Sequence, residues 1–270
     1  MFPAIAIVKA GMCMKGKFAV VLLIATLSTP CPFQRVSAEQ PAAREWRAEV
    51  ALDVDQAGQV VAVELPDTIP DVLATSAREV ISRWRFKPVL VDGHAVSART
   101  YARVKVQVVK REAGTFGVQV VYSSNGPRVK PSVTPYYPLR ETNHGEGSLL
   151  MEATVKPDGR IEDIKVVESH FSGPRKGLFS RSAEQAVKQW QADPEYVDGR
   201  PVATRIQLPM KFCLGRDGGC KERVQPLKLL RHAETDLALS SQPLGEAVAL
   251  DSPLQPSAIS ADGQPLSTGN

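Results

Sequence analysis

Ala48, Val50, Leu52 and Val54 alternate with Glu49, Ala51 and Asp53. That period of two predicts a half-buried strand. Gln56-Ala57-Gly58 turns the chain, and Val60 to Leu65 predicts a returning strand. Next, Ala77, Val80, Ile81 and Trp84 fall at helical spacing, so Ser76 to Arg85 predicts a helix, closed by Pro88. After an Asp92-Gly93 turn, Ala102, Val104, Val106 and Val108 alternate with Tyr101, Arg103, Lys105 and Gln107 in a third strand. The same pattern returns downstream. Leu149 to Val155 and Ile161 to Glu168 predict strands around Pro157-Asp158-Gly159. Ser182 to Gln191 predicts a helix with Ala183, Ala186, Val187 and Trp190 on one face, and Thr204 to Leu214 predicts the last strand.

The recurrence extends to identities. Ser76-Ala77, Trp84, Pro88, Asp92-Gly93 and Val96 match Ser182-Ala183, Trp190, Pro194, Asp198-Gly199 and Val202, at a constant offset of 106 residues. Gly58 and Gly159 correspond at an offset of 101. The fold class expected is α+β, with tandem β-β-α-β units, each a three-stranded sheet with one packed helix. Trp84 and Trp190 take core roles, each covering its sheet. The units span 45–110 and 135–220, joined by a linker over 111–134 with one strand at Val118 to Tyr122. The 50 residues after Cys220 hold no aromatic and include Pro226, Pro243, Pro253, Pro256 and Pro265. That composition predicts a disordered tail over 221–270, with a short helix near Leu227 and Leu230.

The N-terminus changes the charge picture. Lys15 and Lys17 precede the apolar run Phe18 to Leu27, and Val36-Ser37-Ala38 offers a small-residue cleavage site. These features predict a secretory signal over 1–38, with Met14 as the start of the signal proper. Retention of the segment as an inner-membrane anchor is the alternative. The chain has 33 basic and 29 acidic residues, and residues 1–38 hold four of the basic ones and no acid. The cleaved chain is therefore balanced, which argues against a nucleic-acid surface. Cys213 and Cys220 remain after cleavage and, in an oxidising compartment, predict a disulfide closing a short glycine-rich loop.

Catalytic and metal chemistry find no support in the pattern. Neither a G-x-S-x-G elbow nor an H-E-x-x-H site occurs. Asp53, Asp55, Gly58 and Glu64 approach a calcium-loop spacing, but Ala57 stands at a ligand position and the flanks alternate as strands. His94, His144, His170 and His232 lack a second ligand at metal spacing. The expectation is no enzyme, no cofactor and no metal. Gly173-Pro174-Arg175-Lys176 precedes the second helix as a basic loop, and its contact with a membrane surface is left open.

The second unit resembles the TonB C-terminal domain. Tyr137-Pro138 stands at that family's Tyr-Pro lead-in, and Lys156 to Arg160 with Val166 to Ser169 is similar to its first hairpin. Ala183, Trp190 and Pro194 follow its helix, and Leu208-Pro209-Met210-Lys211-Phe212 its last strand. The family favours an aromatic two residues after the tryptophan; Ala192 stands there, whereas the first unit keeps Phe86 and lacks the lead-in.

The resemblance implies a protein-binding role in the periplasm. The partner would be an envelope protein, such as a TonB-dependent outer-membrane receptor, docked by adding a strand to the sheet edge. It implies Arg205, Gln207, Pro209 and Lys211 as the edge, with Tyr136, Tyr137 and Pro138 beside it. Pro209 suits an edge, where its missing N–H costs no ladder bond. Two alternatives stand: an anchored energy transducer for outer-membrane transport if the N-terminal segment is retained, and a self-associating structural protein of the envelope.

Overall fold

The computed structural model describes residues 45–111, 115–138, 146–171, 177–213 and 246–265. The predicted signal, the basic loop at 173–176, Cys220 and the predicted short helix near Leu227 lie outside them.

β1 (Glu45–Val54) and β2 (Val60–Glu64) form an antiparallel hairpin. Its turn is fixed by Asp55, whose Oδ1 accepts hydrogen bonds from the backbone N–H groups of Ala57 (2.9 Å) and Gln59 (2.8 Å). The second carboxylate of the calcium-like spacing is thus a turn cap. α1 (Asp71–Ser82) follows Pro70 and buries Leu73, Ala77, Val80 and Ile81. It starts five residues earlier than Ser76, because Pro70 and Asp71 suit a helix start and Leu73 adds a turn to the apolar stripe. Trp84 lies just past the helix and is fully buried. β3 (Arg85–Phe86) precedes a small hairpin of β4 (Val89–Val91) and β5 (His94–Val96). β6 (Ala98–Lys110) then pairs with β1 along its length.

Residues 111–134 are more than a linker. β7 (Phe116–Gly126) runs antiparallel along β6 from Tyr101 to Lys110, with Val118 and Val120 in the core. β8 (Arg128–Lys130) follows.

The second half repeats the order: β9 (Gly147–Val155), β10 (Ile161–Phe171), α2 (Gly177–Val187), β11 (Gln191–Asp193), β12 (Glu195–Val197), β13 (Arg200–Val202) and β14 (Thr204–Phe212). α2 also begins five residues before the predicted Ser182, because Phe179 extends its buried face. The halves interlock. The β12–β13 hairpin pairs with the start of β6, through Tyr196 opposite Arg99 and Val197 opposite Ala98.

Residues 246–265 depart from the disordered tail that composition predicts. They supply β15 (Val248–Ala249) against β14, β16 (Pro256–Ala258) against β3, and β17 (Asp262–Pro265) against β7. The segment needs no aromatic of its own, because it adds single residues to cores already built. Leu254 enters the first core and Ala247 the second. The resulting sheets have the orders β13-β12-β6-β1-β2, with β7 and then β17 beside β6, and β10-β9-β14-β15. Neither is the isolated three-stranded sheet expected, since β6 and β14 each receive strands from elsewhere in the chain on their outer sides.

Corresponding positions in the two halves do the same physical work. Gly58 (φ 77°) and Gly159 (φ 81°) both have left-handed backbone. A Cβ at either would meet a carbonyl oxygen, that of Phe86 at 2.0 Å or of Ala192 at 2.4 Å. Those contacts exist because Phe86 N–H donates to Gly58 O and Ala192 N–H to Gly159 O, each at 2.8 Å. The pairing is through backbone, which lets alanine stand where the first half has phenylalanine. Trp84 Nε1 donates to Ser260 O and Trp190 Nε1 to Val133 O, both at 2.7 Å. The segment before β9 therefore closes the second half as the C-terminal segment closes the first.

Candidate functional site: the outer edge of the last strand

β14 pairs with β9 from Thr204 to Phe212. Its other side is the candidate edge. Arg205 defines which backbone groups face outward: its N–H donates to Asp251 Oδ1 (2.6 Å) and its C=O accepts from Leu250 N–H (2.8 Å). Backbone direction alternates along a strand, so Gln207, Pro209 and Lys211 present their main-chain groups to the same side. The residue without an N–H thus lies where that loss breaks no bond to β9. Among the described residues, strand pairing on this side is confined to Ile206 opposite Ala249 and Gln207 opposite Val248.

The side chains divide. Arg205 is exposed and ion-pairs with Asp251, Nε to Oδ2 at 2.8 Å. That contact raises the guanidinium pKa above its ordinary value. Lys211 is exposed, opposite Ser148. Gln207 is buried and its amide donates to Glu152 Oε1 at 3.2 Å, so its side chain belongs to the sheet. Pro209 is buried opposite Leu150.

The lead-in residues reach the far end of β14. Tyr137 stacks edge-on to Phe179 (5.5 Å) and tilts toward Phe212 (6.2 Å), in a cluster completed by Phe171. Burial raises its hydroxyl pKa. Tyr136 projects outward at 67% exposure, and its carbonyl accepts a hydrogen bond from Ser182 Oγ. Pro138 is buried. Tyr137 and Pro138 thus brace the end of the strand, while Tyr136 offers a side chain to solvent. Cys213 follows β14 and is disulfide-bonded; Cys220, its predicted partner, lies outside the described residues.

The sequence reading missed two polar groups. Glu195 is fully buried on β12 and accepts from Thr100 Oγ1 (2.6 Å), Ser252 Oγ (2.7 Å) and Thr204 Oγ1 (3.0 Å). Burial raises its pKa, and the three hydroxyl donors oppose the rise. It joins both halves and the C-terminal segment at one carboxylate. Only its place in a period-two run hinted at burial. The second is a cleft of about 280 Å³ lined by Arg47, Glu49, Arg103, Lys105, Ser123 and Glu246, among others. Arg103 binds Glu49 (3.0 Å) and Pro127 O (2.9 Å), and burial raises the Glu49 pKa against the pull of Arg103 and Arg128.

A small α+β unit with a partly covered edge strand is the class these features define. Residues 133–214 match the family model described as Gram-negative bacterial TonB protein C-terminal. The chain is 32% identical over 95 residues to Protein TonB of Klebsiella pneumoniae, covering 35% of each chain. It is 36% identical over 84 residues to Protein TonB of Pseudomonas aeruginosa, covering 30% of this chain and 23% of that one. A solution NMR structure of the Pseudomonas aeruginosa TonB CTD aligns at 33% identity over 33% of this chain and 88% of its own, with a TM-score of 0.27. Through residues 133–214, this chain is similar to the TonB C-terminal domain family. It spans about a third or less of the length of these TonB proteins.

Proposed function

We propose that this chain is a non-enzymatic protein-binding module of the cell envelope, facing the periplasm, which docks on an envelope partner by adding the partner's extended segment to β14. The observation that carries this reading is the contrast between β6 and β14. These strands hold corresponding places in the two halves. β6 is paired on its outer side by β7 from Tyr101 to Lys110 and by β12 at Ala98 and Arg99. Among the described residues, β14 is strand-paired there at two positions only. A long ladder is hard to displace and a two-residue one is not, so the second half is the one suited to strand addition. On this reading the first half is a degenerate copy kept as a platform.

The partner class is an outer-membrane receptor of the TonB-dependent kind. Among the described residues no helix is long and apolar enough to cross a membrane, and the N-terminal segment decides between a released module and an anchored transducer. Lys211 replaced by a photoreactive residue tests the docking mode in the intact envelope. Capture of an outer-membrane receptor supports it. Capture of a second copy of the chain replaces it with self-association. Capture at an exposed residue on another face, such as Val72, and none at Lys211 overturns it.

A further inference from the structure

The β14 edge already holds a strand. Val248 and Ala249 pair with Gln207 and Ile206, and Leu250 N–H donates to Arg205 O at 2.8 Å. The Asp251 carboxylate then grips Arg205 twice, at the backbone N–H (2.6 Å) and at Nε (2.8 Å). Ala247 and Val248 bury their side chains to 4% and 5% exposure. Ala249 packs beside Gly126 on β7, where any Cβ would stand 2.6 Å from the alanine's own. This is the geometry of strand addition, with the added strand drawn from the same chain.

We propose that residues 246–251 are a resident strand that an incoming partner segment must displace, and that they display the chemistry the edge accepts. That chemistry is two small or apolar residues with buried side chains, then a carboxylate three residues after the second for Arg205. The inference rests on the edge-addition reading above.

The anchoring pattern makes displacement local. From Ser252 onward the segment is held by other means: Ser252 Oγ donates to Glu195 and Asn125 Nδ2 donates to Ser252 Oγ, each within 2.8 Å. Leu254 is buried in the first core at 1% exposure. Upstream of Ser252 the holds described above are two ladder positions, the backbone bonds of Arg205 with Leu250 and Asp251, two small buried side chains and an ion pair whose side chains are 62% and 41% exposed. Residues 246–251 can therefore leave the edge while Leu254 stays seated. The exposed ion pair is the part a partner of the same chemistry replaces without loss.

Asp251→Lys in the full chain reverses the charge facing Arg205 and touches neither core. Two readouts are needed: hydrogen exchange of the Leu250 amide, and binding of a fluorescent peptide Glu-Ala-Val-Ala-Leu-Asp, the sequence of 246–251. Leu250 exchange is expected to speed up about fivefold, the factor a single exposed ion pair supplies, with the Val80 amide on α1 unchanged. The peptide is expected to bind the variant about fivefold more tightly than the unmodified chain, and a peptide ending in alanine is expected to lose that gain. Unchanged Leu250 exchange overturns the resident strand. Faster exchange with equal peptide binding to both chains overturns displacement and leaves edge addition intact. Faster exchange with no peptide bound to either chain overturns edge addition itself, and this inference with it.

Discussion

Leu254→Ala measures whether the C-terminal segment is part of the fold. Leu254 is 1% exposed and sits in the first core beside residues contributed by β1, α1 and β6. Truncation removes its isopropyl group from that core and leaves a void. Transfer and cavity contributions together give about 2–4 kcal/mol for a fully buried leucine. The lower half of that range fits best, because the residue arrives on a terminal segment that can shift. Urea unfolding followed by tryptophan fluorescence is the assay, since Trp84 lies in the same core. For a unit of this size the denaturant slope is about 2–3 kcal/mol per M, so the midpoint is expected to fall by roughly 1 M. Leu90→Ala is the control. Leu90 is 64% exposed, and its truncation is expected to change stability by no more than about 0.5 kcal/mol. Equal midpoints for the two variants would refute the docked segment and restore the disordered tail of the composition argument.

Other expectations follow the same physics. Gly58→Ala places a Cβ 2.0 Å from Phe86 O in left-handed backbone, whereas Gly93→Ala meets nothing within 4 Å at φ 79°. The first is expected to cost more than about 3 kcal/mol and the second about 1 kcal/mol, read by thermal unfolding. Glu195 has its pKa raised above the ordinary value of 4.5, chiefly by burial. Between those two values the native state holds a proton the unfolded state has lost, so stability falls as pH rises through that window. Glu195→Gln removes that slope, and its stability relative to the unmodified chain is expected to improve as the pH rises above the ordinary value of 4.5 in urea titrations; an unchanged difference would refute the buried carboxylate. An intact mass beginning at Glu39 is expected for the chain recovered from the envelope, and a mass retaining residues 1–38 would favour the anchored transducer.

Much of the fold was legible where period two or period 3.6 met a turn residue. β1, β9 and β10 start within three residues of their predicted positions, because glycine and aspartate punctuate their hairpins. The helix starts were read late, since Leu73 and Phe179 stand apart from the tighter apolar cluster that marks each helix. What stayed hidden was non-local. β7 read as part of a linker because its second half, Ser123 to Asn125, is polar and buried. The strands β15 to β17 are too short and too weakly patterned to register, and their apolar residues enter other segments' cores one at a time. The site was legible as a strand, and as a candidate edge through the resemblance and Pro209; its cover was not, because nothing in residues 205–211 says that Asp251 lies beside them.

Trp84 and Ser260 are bonded across a sequence separation of 176 residues. A ribosome makes them far apart in time as well. The first half emerges first, with its helix, its two hairpins and β6, yet the segment that seals β3 and the indole is among the last to be made. The order of folding cannot follow the order of synthesis. The second half has the segment that closes its own indole just upstream, and waits for the C-terminal segment only at β15 and Ala247. The older half of the chain must wait for the younger one, with an unsealed sheet in the interval.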